Sequence, residues 1–354
     1  MNTSRPFAGL IAFLTAVSLL LAACGQAASP AANGQNTATI LRLGYFANLT
    51  HAPALVGVAK GTFQQALGAG VTLEVITFNA GPALIEALFA NEIDVAYSGP
   101  NPAINGFVRS NGDALRIIAG ATSGGAFFVV RPEAGISTAA DLAGKKFATP
   151  QLGNTQDVAL RYYLRENDLE TADKGGSVEI VPTQNADILT LFQQGAIDGA
   201  WVPEPWATRL IQEAGGEIFI DERDAWPEGR FVTTHLIASR AYLEANPDLV
   251  SRFLMAHVET IEFINANAEE SKSLVNAEIE RVTTKPLPRA VLDASYPTLE
   301  FTFDPLASTL FVSADHAFEL GFLADTKPDL SQIYSLDLLN AVLQEKGLEA
   351  VAAS

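Results

Sequence analysis

Asn79–Pro102 reads NAGPALIEALFANEIDVAYSGPNP, and its pattern decides the fold. It is a loop, a helix, a strand and a second loop. Leu84, Ile85 and Leu88 recur at helical spacing, Ile93 to Tyr97 is a short apolar strand, and Ser98-Gly99-Pro100-Asn101 is turn-forming. A second copy stands at Thr183–Trp206, TQNADILTLFQQGAIDGAWVPEPW. With Ile93 set on Ile197 and no gaps, Leu84 meets Ile188, Ile85 meets Leu189, Leu88 meets Phe192, Asp94 meets Asp198 and Tyr97 meets Trp201. Two such units predict two similar α/β lobes. Each lobe carries loops at the C-terminal edge of its sheet, where open α/β sheets bind ligands. The competing reading is coincidence, since helix–strand units resemble one another.

The chain has 354 residues, 48% of them hydrophobic, enough for a large core and about two domains. Its start reads as a leader over residues 1–23: Arg5 gives a positive n-region, Phe7 to Leu20 an apolar run, and Leu21-Ala22-Ala23-Cys24 a small-residue cleavage site. Leu-Ala-Ala-Cys resembles a bacterial lipobox, which makes Cys24 the lipidated new N-terminus. The plainer reading is an ordinary signal peptide with an incidental cysteine. Cys24 is the chain's one cysteine, so no disulfide or cysteine nucleophile is expected in the mature domain. Residues 24–39 read as a small, polar, flexible tether. One acyl chain binds a membrane only marginally, so stable anchoring calls for further lipid. The formal net charge is −18, and loss of the leader removes one more positive charge, Arg5. That argues against nucleic acid or an anionic membrane surface as partner. An anionic ligand would have to be held by local dipoles.

Taken in order, residues 40–130 are expected to form the first part of lobe 1, 131–232 lobe 2, and 233–354 the return to lobe 1 with the C-terminal helices. Strands are expected over 40–46, 71–78, 115–121, 126–130, 146–149, 178–183 and 231–239. A helix is expected over 52–67 with Thr50 as its cap, and others near 102–109, 155–167, 248–266 and 336–346. Crossings between lobes fall near Phe128–Arg131 and Phe231–Ile237, which would serve as hinges. Alternating strands and helices followed by grouped helices give an α/β fold of two lobes.

The sharpest local signal is Gln151-Leu-Gly-Asn-Thr-Gln156, a glycine loop running into a helix. Unpaired backbone N–H groups and the helix dipole there suit an anionic oxygen. Gly153, Asn154 and Thr155 are its candidates, and simple capping is the plainer role. Asn79 with Gly81, and Ser98, Gly99 and Asn101, repeat the arrangement in lobe 1. Asn48 and His51 follow the first strand. Tyr97 and Trp201 end matching strands, where they would line a cleft or pack in the core. Glu204, in Pro203-Glu-Pro-Trp206, is either a cleft carboxylate or a solvated helix-start charge. His51 and His235 fall near strand ends, whereas His257 and His316 read as helix surface. The four histidines show no metal spacing, and no phosphate-loop, dinucleotide or nucleophile-elbow motif is present. No cofactor or metal is expected. Asp94 and Asp198 read as turn caps at strand starts.

THAPALVGVAKG, FNAGPALIEAL, YSGPNPAI, ATPQLGNTQDVALR, IDGAWVPEPWA and FVTTHLI, in that order, resemble the periplasmic solute-binding lipoproteins of the sulfonate, taurine and nitrate group. These serve ABC importers, and the resemblance runs from about Leu41 to Ala266. It implies a two-lobe binding protein of the type II kind, closing on its ligand between the lobes, monomeric, lipid-anchored outside the cell, and partnered by a permease and its ATPase. The implied ligand contacts are Asn48, His51, Asn79, Gly81, Ser98, Gly99, Asn101, Gly153, Asn154, Thr155, Trp201 and Glu204. A small organic anion, an aliphatic sulfonate or taurine, is the expected ligand. Taurine gains if Glu204 enters the cleft; a thiamin pyrimidine or flavin precursor gains if Tyr97, Trp201 and Trp206 line it. A sensor of the same ligands is the reading from another class. The fold also resembles a pyrimidine-precursor synthase of thiamin biosynthesis, whose cysteine-rich segment has no counterpart here.

Overall fold

The computed structural model describes residues 39–353, so the leader, Cys24 and the tether as far as residue 38 lie outside the described residues. The first lobe opens with β1 (Thr39–Phe46), α1 (Ala52–Ala59), α2 (Thr62–Leu67), β2 (Val71–Phe78), α3 (Gly81–Phe89), β3 (Val95–Ser98), α4 (Pro100–Arg109) and β4 (Leu115–Gly124). The chain then crosses to β5 (Ala126–Val130), β6 (Lys146–Pro150), α5 (Thr155–Glu166), β7 (Glu179–Thr183), α6 (Asn185–Gln193), β8 (Gly199–Pro203), α7 (Trp206–Ala214) and β9 (Glu217–Asp221). It returns through β10 (Val232–Ser239), α8 (Arg240–Ala245), α9 (Pro247–Ala266), α10 (Ala268–Thr283), α11 (Arg289–Ser295), β11 (Leu299–Phe301), α12 (Ala307–Glu319) and α13 (Asp337–Glu345). The sheet orders are β11-β4-β10-β3-β1-β2 and β7-β6-β8-β5-β9. In each, the central strand (β3 or β8) runs parallel to one neighbour and antiparallel to the strand that crossed over from the other lobe.

The two units quoted from the sequence are structurally equivalent. Under the Ile93-on-Ile197 alignment, α3 falls on α6 and β3 starts where β8 starts. The equivalence extends to neighbouring strands, for Leu43 pairs with Val95 and Phe147 with Gly199. Asp94 accepts the Arg42 N–H at 2.8 Å, and Asp198 accepts the Lys146 N–H at 2.8 Å. Each Asp also donates its own N–H back, to the carbonyls of Arg42 and Lys146. Both carboxylates therefore tie the start of a central strand to its parallel partner.

Period-two alternation sends each strand's side chains to opposite faces. From β1, Leu41, Leu43 and Tyr45 pack toward α1, α9 and α10, while Phe46 meets Leu84 and Leu88 of α3 on the other face. In the second sheet Phe127 and Val129 pack with α6 and α7, and Phe128 and Val130 with Leu160 and Leu164 of α5. Each such side chain contributes about 1.5–3 kcal/mol, so each lobe has its own source of stability. Among the described residues, one small cluster spans the lobes, with Val158 of α5 against Ala317 and Leu320.

The expected helix over 52–67 is broken, because Gly61 adopts φ +75° between α1 and α2. Thr50 is no cap: His51 stands at the N-cap position of α1 without a side-chain bond, and the Thr50 carbonyl accepts from Thr122 Oγ1. The first change of sheet falls at Gly124-Gly125, before β5, so 126–130 belongs to the second sheet and Phe128–Arg131 is no crossing. β9 and β11 are strands the sequence reading lacked.

Candidate functional site

Where the C-terminal edges of the two sheets meet, loops from both lobes enclose a cavity of about 20 Å³. Asn48, Thr50 and His51 reach it from the loop after β1, Asn79 and Ala80 from that after β2, and Gly99 from that after β3. Lobe 2 contributes Pro150 at the end of β6, Asn154, Thr155 and Gln156 after it, Asn185 after β7 and Pro203 of β8. Thr233 and Thr234 come from β10. Four helices thus begin at this cavity: Ala80 and Gly99 are the N-caps of α3 and α4, Asn154 is the N-cap of α5, and Asn185 opens α6. Prolines Pro82 and Pro100 sit in the first turns of α3 and α4, where a missing N–H costs nothing.

Two glycines let the walls come together. A Cβ on Gly81 would meet the Pro102 ring at 2.2 Å, and one on Gly99 would meet Thr155 Oγ1 at 2.6 Å across the lobes. The lobes are in contact elsewhere too. The Leu49 N–H donates to the Glu204 carbonyl, Trp206 Nε1 donates to Asn48 Oδ1 at 2.9 Å, and the Tyr162 ring stacks on His316.

Among the described residues, the lining carries no Asp, Glu, Lys or Arg. Its one titratable group, His51, is buried, and burial pushes its pKa down to about 3, so the ring is neutral at pH 7. His51 Nδ1 accepts from the Phe46 N–H at 3.3 Å, which leaves the proton on Nε2 as a donor. Thr155 Oγ1, Thr234 Oγ1 and Asn185 Oδ1 are buried without a hydrogen-bond partner.

Of the expected contacts, Asn48, His51, Asn79, Gly99, Asn154 and Thr155 line the cavity. Asn154 also caps α5, its Oδ1 accepting from the Thr155 N–H. Gly81 stands beside the lining. Ser98 and Asn101 do not face it: Ser98 Oγ bonds the Gly99 carbonyl, and Asn101 Nδ2 the Ser313 carbonyl. The Gly153 N–H is held by Asp157 at 2.9 Å.

Other expectations are corrected, and for Tyr97 and Trp201 the core alternative holds over the cleft one. Trp201 lies in the lobe 2 core, stacked on Phe128, with Nε1 on Glu222. Tyr97 lies in the lobe 1 core, with its hydroxyl on His257 Nδ1 at 2.8 Å. His257 is therefore fully buried, not helix surface. Glu204 is 2% exposed and spoken for: its carboxylate accepts from the Thr208 N–H, Thr208 Oγ1 and Ser295 Oγ. Burial raises its pKa. His235 is interior as well, bonded to the Pro305 carbonyl. Thr50, Gln156, Asn185, Thr233 and Thr234 were missed. For the last two a signal existed: two hydroxyls stand in the middle of the buried strand FVTTHLI.

Two mixed sheets in two lobes, with the cavity at their facing edges, define a two-lobe periplasmic-binding-protein fold. The chain belongs to the NMT1-like family, whose profile matches residues 34–278. It is 26% identical over 217 residues to the taurine-binding periplasmic protein of Escherichia coli K12, covering 61% of this chain and 64% of that one. This chain thus spans under two thirds of that relative's length. The structure is similar to that of the alkanesulfonate-binding protein SsuA from Xanthomonas axonopodis pv. citri bound to MOPS, with TM-score 0.69, 18% identity, and coverage of 84% and 98%. It is also similar to the desulfurization enzyme DSZB, with TM-score 0.63, 18% identity, and coverage of 87% and 99%. The fold is therefore shared by binding proteins and an enzyme.

Proposed function

We propose that this chain is the extracytoplasmic solute-binding protein of an ABC importer. It takes a small organic anion, foremost an aliphatic sulfonate, between its lobes and presents it to a permease and ATPase. The observation that carries this reading is the set of unpartnered buried atoms at the cavity, Thr155 Oγ1, Thr234 Oγ1 and Asn185 Oδ1. A buried polar atom without a partner costs about 1–3 kcal/mol, and a ligand bearing several acceptor oxygens would engage the two hydroxyls. Rotation of the Asn185 amide would present its N–H instead. Four helix N-termini add partial positive charge, offset in part at α5 and α6 by Asp157 and Asp187 in their first turns. Relatives named for binding taurine and alkanesulfonate support the same ligand class.

The reading is of capture and release without chemistry, in a monomer tethered through a lipid on Cys24. The first hinge is assigned to Gly124-Gly125, where both residues hold positive φ. The second is assigned to the segment between β9 and β10. The flat-heterocycle alternative loses two of its three supporting aromatics, since Tyr97 and Trp201 are core. Taurine remains a second reading on one observation: Asn185 Oδ1 as it stands is an acceptor for an ammonium. Against it, the carboxylate expected to meet that ammonium, Glu204, already accepts three hydrogen bonds.

Calorimetry with ethanesulfonate and taurine, which differ by the amino group, separates the two. Ethanesulfonate is expected to bind more tightly, and Thr155→Val to weaken it by about 1.5–3 kcal/mol through a lost charge-assisted bond. Binding of taurine alone would reverse the preference. Binding of neither would remove the anion reading.

A further inference from the structure

We propose that Arg161, outside the cavity lining, is a positioning residue for the anion: it neutralises the Asp157 carboxylate, which can then fix the loop carrying Asn154 and Thr155 without opposing the ligand's charge. This rests on the anion reading above. The loop between β6 and α5 needs fixing. Its backbone is left-handed twice, at Gln151 with φ +39° and at Gly153 with φ +73°, and the first is unfavourable for a residue with a side chain. Asp157 holds it from inside. One carboxylate oxygen accepts the Gly153 N–H at 2.9 Å, and the other accepts Thr149 Oγ1 at 2.7 Å, which ties the loop to β6. Two residues before Asp157, Thr155 brings a buried, unpartnered hydroxyl to the cavity.

The clamp brings a negative charge with it. Asp157 stands in the first turn of α5, where it offsets the partial positive charge that an anion would use. Asp187 holds the same position in α6, but it is exposed, and water and salt screen it. Asp157 is fully buried, so solvent cannot do the same. Among the described residues, Arg161 is the cation paired with it. One turn further along α5, its Nε donates to both carboxylate oxygens at 3.2 Å. The guanidinium is itself buried, and the Phe322 ring of lobe 1 lies 5.8 Å from it. Its second partner, Asp173, is exposed and therefore screened. The buried pair thus supplies the clamp's hydrogen bonds with its charges cancelled.

Calorimetry with methanesulfonate and ethanesulfonate on the wild-type chain and three variants tests the assignment. Asp157→Asn removes the charge and keeps an acceptor for the Gly153 N–H. It is expected to bind at least threefold more tightly than wild type. Arg161→Met removes the counter-charge and is expected to bind at least tenfold more weakly. The double variant is expected to return to within threefold of wild type. A pair that only braced the loop would give the opposite sign for Asp157→Asn, because each substitution would loosen it. Absence of any one of these three shifts, with the wild type still binding, would overturn the proposal and leave the anion reading standing. If Arg161→Met does not fold, Asp157→Asn decides alone. Binding of neither sulfonate by the wild type would bring down the anion reading, and this one with it.

Discussion

Gly99 lacks a side chain where Thr155 of the other lobe comes closest, and its φ of −68° is one any residue adopts. Gly99→Ala should therefore leave the backbone unstrained and push the Thr155 hydroxyl aside. The expected result is ligand affinity lower by about 1–3 kcal/mol, with the unliganded melting temperature nearly unchanged. Calorimetry and a thermal scan read the two separately, and unchanged affinity would show that the Thr155 hydroxyl does not engage the ligand. Asn154 and Thr155 were visible in the sequence because a glycine loop before a strong amphipathic helix is a local signal. Tyr97 and Trp201 misled because β3 and β8 are buried on both faces. In such a strand, apolar sequence does not say which face an aromatic joins. Glu204 could not be placed from sequence at all, since its partner Ser295 is remote in the chain.

At the level of elements, the repeated helix–strand unit was legible because α3 and α6 carry helical apolar spacing and each runs into a short apolar strand. The crossing was misplaced for a related reason. Leu115–Ala121 and Ala126–Val130 are both apolar runs, and only the long-range pairing of Ala126 with Pro203 assigns the second run to the other sheet. β11 escaped because it has three residues, too few for periodicity to register. The elements that close the lobes are joined mainly through polar groups. Arg165 of α5 and Lys174 donate to the Glu319 and Leu320 carbonyls at the C-terminal end of α12, where cations are favoured. Arg165 and Glu319 are each about two-fifths exposed, so such pairs add at most about 1 kcal/mol. Weak polar bonds and one small apolar cluster would suit the proposed cycle, in which the lobes part again.

Over the whole molecule, three buried histidines set the response to acid. Burial lowers His51 to about 3, and His235 and His257 to about 4. Below the unfolded value of about 6.5 the unfolded chain binds protons that the folded one refuses, so stability falls as pH drops from about 6.5 toward 4. Glu222, raised by burial to about 7, acts in the opposite sense between about 7 and 4.5, as does Glu204 in its direction. Three groups against two leaves a net loss. The melting temperature should drop by several degrees between pH 6.5 and 4.5, and a flat profile would contradict neutral buried imidazoles.

The uncharged lining of the cavity has a consequence for proton traffic. Fixed dipoles, not titrating groups, would meet the ligand's charge, and His51 lies too far below neutrality to take up a proton when an anion arrives. Binding near pH 7.5 should neither consume nor release protons. Heats measured in phosphate and in Tris, whose ionisation enthalpies differ widely, should then coincide; a buffer-dependent heat would reveal a hidden titrating partner. The loaded protein would leave the encounter more anionic by the ligand's full charge, a chain whose full sequence is already at a formal −18 made more negative by what it carries.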